Sequence, residues 1–410
     1  MLKKEHLRPV ATLVAVVTSL PFIHGIAGGI YVWLSPHVML ASAIAFRSIV
    51  WLNLLAIAVV IICLYRKRWF CNMLCPTGWC CHQVSNRACR HRANWISAHT
   101  ERVHQPRHVL ISANTGKWIA FFTISSATFG YPLFLWIDPL VLFSSFFAVF
   151  PFMGLSMSSI VMMSVFPTLL FSQWLWPHSW CGKVCPLGGM QDLLWMLRSF
   201  LGGYYKCPPK KVQRYRLTRR ELLASLSGLL AGGFLSAMKR ERIPTIRPPA
   251  SLESPQFETV CLRCGNCMRT CPTHIIKRDT SPTNWYAWMT PRIDFTAGYC
   301  LNDCTICGTV CPSGAISPFT VAAKKILPIG KACIDVERCL LQIPEECGHC
   351  YNVCAYNAIK ITAIQGAKPL PQVDEKRCVG CGACAQICPE GMGAIQIVAC
   401  PFRDIISVEN

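Results

Sequence analysis

The chain has 410 residues, 52% of them hydrophobic and 15% charged, with a mean hydropathy of +0.36 and a formal net charge of +20. So little charge and so much apolar surface argue against an ordinary soluble domain. Nucleic-acid binding would account for the basic balance, but the Lys and Arg residues alternate with apolar stretches instead of forming one patch, and that reading is set aside.

Apolar stretches run from Val10 to Leu34, Ser48 to Tyr65, Trp118 to Ile137, Pro151 to Trp176 and Leu222 to Met238. Each is near the ~20 residues that cross a bilayer. Pro21, Gly25, Gly28 and Gly29 interrupt the first, which reads as a kink or close packing. Leu140 to Phe150 reads as an interfacial segment. Residues 1–238 hold 22 Lys and Arg against 5 acids, whereas residues 239–410 hold 18 against 15. The positive charge falls at Lys3-Lys4, in residues 66–117 and in residues 183–220, and by the positive-inside rule those segments are cytoplasmic. The expected fold class is an α-helical membrane bundle of four to five transmembrane helices (residues 1–205), a basic segment with a fifth apolar helix (206–250) and, because sixteen cysteines from Cys261 to Cys388 fall into four quartets that each contain C-x2-C, an α+β ferredoxin-like domain with four cluster-binding motifs (251–410). The expected location is the bacterial cytoplasmic (inner) membrane, crossed several times.

Two matched cysteine motifs lie at the ends of the second and fourth stretches, Cys71-Asn72-Met73-Leu74-Cys75-Pro76 and Cys181-Gly182-Lys183-Val184-Cys185-Pro186. Each reads C-x3-C-P, followed by Gly78 or Gly188. Together Cys71, Cys75, Cys181 and Cys185 offer four thiolates to an additional cluster or metal. The alternative is a set of ordinary thiols in a reducing compartment. Cys80, Cys81 and Cys89 lie nearby without counterparts in the second motif. Farther on, Thr218-Arg219-Arg220-Glu221-Leu222-Leu223 before a mild apolar run reads as an internal twin-arginine export signal. Its bland alternative is that the two arginines merely follow the positive-inside rule.

Sixteen of the 27 cysteines fall into four quartets in the last 150 residues. Cys261, Cys264, Cys267 and Cys271 before Pro272, and Cys378, Cys381, Cys384 and Cys388 before Pro389, both read C-x2-C-x2-C-x3-C-P. Between them stand two looser quartets, Cys300, Cys304, Cys307 and Cys311, then Cys339, Cys347, Cys350 and Cys354. In this pattern one loop gives three thiolates to a [4Fe-4S] cluster and sends the fourth to a second cluster, so motifs work in pairs. Adjacent motifs could pair, or the outer two could pair around the inner two. On the second scheme, which the regularity of the outer motifs favours, Cys271 joins Cys378, Cys381 and Cys384, and Cys388 joins Cys261, Cys264 and Cys267. Zinc has no use for such a run, and three cysteines at this spacing are poorly placed for separate disulfides. Cys333 and Cys400 stand outside the pattern as structural thiols. Ile276, Ile316, Ile359 and Ile395 follow the quartets, and Ile293-Asp294, Ile334-Asp335 and Val373-Asp374 precede three of them, giving a strand-loop-helix-strand unit used four times.

From Arg247-Pro248-Pro249 through Cys261-Leu262-Arg263-Cys264-Gly265-Asn266-Cys267, Val310-Cys311-Pro312-Ser313-Gly314-Ala315 and Cys378-Val379-Gly380-Cys381-Gly382, the second half resembles the NapG and MauM ferredoxin-type proteins. The first half, with its two C-x3-C-P motifs, resembles NapH-type membrane proteins and the membrane core of NosR. The resemblance implies a fusion of the two: a quinol dehydrogenase component that passes electrons from quinol through four [4Fe-4S] clusters to a periplasmic redox partner, such as a terminal reductase or cytochrome. His24, His37 and Asp138 are the candidate proton acceptors of a quinol site. Two alternatives stand beside this reading, a cytoplasmic-facing polyferredoxin and an electron-donating assembly factor for a respiratory metalloenzyme. No nucleophile constellation, phosphate loop or nicotinamide fingerprint occurs, so bond-making catalysis is not expected.

Overall fold

Proline sets the start of four helices in the first half of the chain. Ser35-Pro36, Cys75-Pro76, Asp138-Pro139 and Cys185-Pro186 each put the ring at the first helical position, where its missing N–H costs nothing and its fixed φ suits the helix. The computed structural model describes residues 4–20, 29–99, 112, 114–149, 157–202, 218–237, 245–281, 285–342, 347–362, 369–389 and 393–399. It divides into two units, Met1–Lys239 with Glu258–Gly265, and Arg240–Phe257 with Asn266–Asn410.

The first unit is helical: α1 (Lys4–Ser19), α2 (Pro36–Phe46), α3 (Leu54–Tyr65), α4 (Pro76–His99), α5 (Thr115–Ala127), α6 (Pro139–Phe147), α7 (Met157–Leu175), α8 (Pro186–Gly202) and α9 (Arg219–Ala237). Helix α5 packs on α8 and α9, α8 packs on α3, and α4 packs on α7. Val59, Phe70, Leu140, Leu187 and Leu194 form a core cluster. Full burial of such side chains contributes about 1.5–3 kcal/mol each. Helix α9 buries Gly228 and Gly232, four residues apart on one face, and exposes Leu222, Leu226, Leu230 and Phe234. Thr218 and Glu221 cap it reciprocally: the Thr218 amide donates to Glu221 Oε2 at 2.8 Å, and the Glu221 amide donates to Thr218 Oγ1 at 3.4 Å. Thr218-Arg219-Arg220-Glu221 is therefore a capping box as well as an arginine pair.

Among the described residues no helix is long and apolar enough to cross a membrane. The expected membrane bundle and the multi-pass inner-membrane location are corrected accordingly: the described helices of the first half are either too short or too polar to cross. In the first apolar stretch α1 ends at Ser19, and a helical turn spans Ile30–Trp33. The second is α-helical over Leu54–Tyr65, 12 residues, which is about 18 Å against a hydrocarbon core of about 30 Å. In the third, α5 ends at Ala127, and the segment expected at an interface begins within the nine-residue α6, which ends at Phe147. Helix α7 carries Pro167, Ser164, Ser172 and Gln173, and α9 opens on Arg219, Arg220 and Glu221. With the spans gone, the positive-inside argument loses its premise.

The second unit is built of short antiparallel pairs. Strand β1 (Ile276–Arg278) pairs with β2 (Pro291–Ile293), β3 (Lys331–Ile334) with β6 (Ile395–Val398), and β4 (Ile359–Thr362) with β5 (Leu370–Val373). An isolated bridge joins Ser251 to Ile316. The two repeats are therefore nested alike: an outer pair encloses an inner pair, and a cysteine quartet fills each gap. Asp294, Asp335 and Asp374 end β2, β3 and β5 in the same way, each carboxylate accepting the amide two residues on (Thr296, Glu337, Lys376) at 3.0, 3.1 and 3.0 Å. These Asx turns aim the chain into the cysteine loops. Helices α10 (Asn266–Thr270), α11 (Ile306–Thr309), α12 (His349–Val353) and α13 (Ala383–Ile387) carry the third cysteine of each quartet, and α10 packs on α11 as α12 does on α13.

Gly382 opens α13 with φ of 88°, and a Cβ there would fall on the Phe295 ring. Gly348 has only Asn352 Nδ2 at 3.7 Å. Gly382→Ala should destabilise the fold by about 1–3 kcal/mol, read as a lowered unfolding temperature, whereas Gly348→Ala should leave it nearly unchanged.

Candidate metal centres

In the second unit Cys271, Cys300, Cys304 and Cys307 line one small, partly open pocket together with Pro249, Ile276, Ile293 and Leu301. Burial pushes the Cys307 thiol up, and Cys300, Cys304 and Cys271 raise it further. A second group repeats the arrangement. Burial pushes the Cys384 thiol up to about 12, with Cys381, Cys378 and Cys354 adding to it. The thiol of Cys350 is raised by burial and by Cys347 and Cys339. The fourth cysteine of a motif thus faces the loop of the adjacent motif: Cys271 joins the second quartet and Cys354 the fourth. The structure thus sets adjacent motifs side by side, the first of the two pairings the sequence left open, rather than the outer motifs around the inner ones. The physical reason is the strand nesting, since β1–β2 and β4–β5 each fold one quartet back onto its neighbour.

The sulfurs are provided for. Cys311 Sγ accepts the Ile316 amide at 3.4 Å, and Cys354 Sγ accepts the Ala358 amide at 3.3 Å. Such hydrogen bonds favour the thiolate. The two paired groups also meet, because the Cys300 amide donates to the Cys381 carbonyl at 2.8 Å. Tyr356 lies beside both, its phenol pushed up to about 12 by burial and by Cys381, Cys300 and Cys354. Its hydroxyl is sealed from solvent and has no hydrogen-bond partner among the described residues. Cys261 and Cys264 are buried in the first unit, Cys264 in a cluster with Val38 and Leu135, while Cys267 and Cys271 belong to the second. Cys333 is exposed on β3, and Cys400 lies outside the described residues.

In the first unit the two C-x3-C-P motifs fold alike, through an α-turn in the first and a π-turn in the second. Arg68 and His178, each three residues before the first cysteine, have φ of 52° and 60°. A helical turn follows (Trp69–Met73, Trp180–Val184), and the proline then opens α4 or α8. The second sulfur of each motif accepts an amide from the first helical turn: Gly78 N–H to Cys75 at 3.3 Å and Gly188 N–H to Cys185 at 3.5 Å. The orphan donors of a helix N-terminus thus face sulfur. Burial pushes Cys71 up to about 12, with Cys181 adding to it, and raises Cys75 and Cys185 well above the ordinary thiol range, with Cys71 and Cys181 contributing to both. Cys71, Cys75 and Cys185, each pushed up by the thiols beside it, would need a cation to ionise together.

Around these thiols stand groups the spacing did not disclose. Gln191 Nε2 donates to Cys71 Sγ at 2.9 Å, and Arg68 donates to Asp192 at 3.0 and 2.6 Å and to the Cys181 carbonyl at 3.3 Å. Cys81 hydrogen-bonds Cys181, which lowers the Cys181 thiol and raises its own. Cys80 packs instead against a cluster containing Phe143 and Phe166, and Cys89 is exposed. Among the described residues no group of three or more His, Cys, Asp or Glu side chains is drawn tightly enough around one point to hold a single metal ion. A cubane holds its thiolates farther apart than one ion does.

His37 and Asp138 come together. Both are 0% exposed, and His37 Nδ1 lies 3.4 Å from Asp138 Oδ2. Asp138 caps α6 by accepting the Leu140 amide at 2.9 Å and accepts the Ser35 hydroxyl at 2.7 Å. Ser35 in turn caps α2. Asp138 is close enough to Cys75 to add to the rise of that thiol. His24 lies outside the described residues.

The 4Fe-4S dicluster domain family matches residues 260–315 and 345–392, each span joining two adjacent quartets or most of them, and a 4Fe-4S binding domain family matches residues 48–85 and 158–203, which carry the two C-x3-C-P motifs. The chain is 31% identical over 158 residues to the ferredoxin-type protein NapF of Escherichia coli, covering 38% of this chain and 88% of that protein. It is 28% identical over 203 residues to the methylamine utilization ferredoxin-type protein MauM of Methylobacillus flagellatus (47% and 84%). It is 27% identical over 194 residues to the ferredoxin-type protein NapG of E. coli (44% and 83%). No solved structure matches.

Asp138→Ala removes a helix cap and leaves the Ser35 hydroxyl buried without its acceptor. A loss of about 2–3 kcal/mol is expected in chemical denaturation, and Asp138→Asn, which still caps, should lose less.

Proposed function

Because the chain belongs to the family of ferredoxin-type iron-sulfur electron-transfer proteins, we propose that it carries electrons through four [4Fe-4S] clusters in its last 150 residues and a fifth held by Cys71, Cys75, Cys181 and Cys185. The observation that carries this reading is the cavity where Cys271 meets Cys300, Cys304 and Cys307. Three thiols come from one loop and the fourth from its neighbour, which is the ligand logic of a two-cluster ferredoxin. Cys354 with Cys378, Cys381 and Cys384 supplies the second such set. The motif rule assigns Cys311 and Cys388 to the remaining loops. Bound clusters would supply one-electron chemistry. The chain supplies burial, amide donors to sulfur and close spacing of the two paired groups.

On the input side, we take quinol as the donor, with Cys75 near the receiving end and the His37–Asp138 pair as the proton acceptor. What favours this is the nearness of Asp138 to Cys75, which puts a buried acid-base pair beside a redox centre. Two electrons and two protons leave a quinol together, and only an acid-base group can take the latter. The electrons leave to a redox partner, a cytochrome or terminal reductase, that docks on the ferredoxin half. The relatives are named for different systems, so the partner's pathway need not be theirs.

Iron and acid-labile sulfide should each approach about twenty per chain, four for every cluster. Cys71→Ser with Cys185→Ser should remove about four of each and leave the rest reducible by dithionite. Retention of all the iron in that variant would overturn the fifth site. Anaerobic mixing with a menaquinol analogue should bleach the cluster absorbance, and His37→Leu should slow it at least tenfold. Dithionite bleaching without quinol bleaching would sink the quinol input and leave the electron-transfer role standing.

A further inference from the structure

Lys324 ends the short helical turn Val321–Lys324, which follows the second quartet and is capped by the Thr320 hydroxyl. The side chain is only 1% exposed, so an ammonium has been taken out of water. Its Nζ donates to the Cys304 carbonyl at 2.6 Å and to the Leu301 carbonyl. Among the described residues no carboxylate pairs with it. Two neutral carbonyls satisfy its protons but not its charge, and a buried charge without a counter-charge is costly. What the ammonium does face is sulfur. Lys324 Nζ is within hydrogen-bond reach of the Cys300 side chain and is anchored on the backbone of Cys304, both in the second quartet.

Resting on the cluster assignment above, we propose that Lys324 is the counter-ion of the cluster held by Cys271, Cys300, Cys304 and Cys307, and that it raises the reduction potential of that cluster so that the first electron accepted by the second unit settles there. A [4Fe-4S] cluster with four thiolates is an anion in both redox states and gains one more negative charge on reduction. A fixed cation in a low-dielectric site stabilises the reduced state more than the oxidised one. The step is a bare electron exchange: this cluster is reduced as a neighbouring cluster is oxidised, with no bond made or broken and no proton moved. The neighbour is at hand, because Cys300 is joined through its amide to the carbonyl of Cys381, a ligand of the adjoining group. The electron is thereby held where the two cluster pairs meet. Lys324 acts through the cluster and is a positioning residue for charge.

The test is a reductive titration followed by electron paramagnetic resonance on the full-length, cluster-loaded chain and on Lys324→Gln, Lys324→Arg and the exposed neighbour Lys325→Gln, with iron and sulfide measured on each. Lys324→Gln keeps a donor and loses the charge, so the first signal to appear in the parent should shift to lower potential, while Lys324→Arg and Lys325→Gln leave it in place. If Lys324→Gln instead sheds about four irons and Lys324→Arg keeps them with the parent's midpoint, the counter-ion role is equally supported. A fully loaded Lys324→Gln with unshifted midpoints would overturn the proposal. So would loss of the cluster in both Lys324 variants, which would make Nζ a structural donor only. Failure of the parent chain to hold iron at all would count against the cluster assignment and not against Lys324 in particular.

Discussion

A cubane takes four thiolates, and a C-x2-C-x2-C loop can wrap only three around one corner-sharing site, so the fourth must come from elsewhere. That single shortfall shapes the second unit. Cys271 can reach Cys300, Cys304 and Cys307 only if the chain between them turns back, and β1 with β2 is that turn. Cys354 reaches Cys378, Cys381 and Cys384 through the matching turn of β4 and β5. The outer pairings, Ser251 with Ile316 and β3 with β6, then close each repeat. The strands are three or four residues long and carry little stability of their own. In the holo chain much of the folding free energy would come from the metal-sulfur bonds, as in other small metal-dependent folds.

The fifth cluster proposed for the first unit would be held by different parts. Two short motifs come from distant points of the chain, each ending in Cys-Pro at the head of a long helix, and each gives one sulfur to the amides of that helix. Arg68 ties the motifs together by holding Asp192 with its fork and the Cys181 carbonyl with one remaining donor.

What could be read in the sequence was whatever spacing encodes. The sixteen cysteines, the paired Cys-Pro motifs and the strand residues Ile276, Ile293, Ile359, Val373 and Ile395 were legible because a ligand loop and a short strand each have a fixed local period. The pairing of loops was not, since the regular outer motifs suggested partnership while the actual partner is set by which hairpin lies between. Apolar runs misled for a related reason. Composition alone does not separate a buried helix from a spanning one when Pro, Gly and Ser are mixed into the run, as Pro167 and Gly228 are here. His37 and Asp138 could be named as polar residues in apolar surroundings, but their meeting depends on Ser35 and Asp138 capping two helices that begin at proline. Lys324, Gln191 and Tyr356 left no trace in the sequence, because a lone Lys, Gln or Tyr has no spacing to betray it.

Shared ligation between adjacent motifs is the claim on which the electron route rests, and locating iron tests it most directly. Anomalous scattering at the iron edge from crystals of the anaerobically purified chain should show one cluster bounded by Cys271, Cys300, Cys304 and Cys307 and another bounded by Cys354, Cys378, Cys381 and Cys384. A cluster that took Cys271 together with Cys378, Cys381 and Cys384 would contradict it.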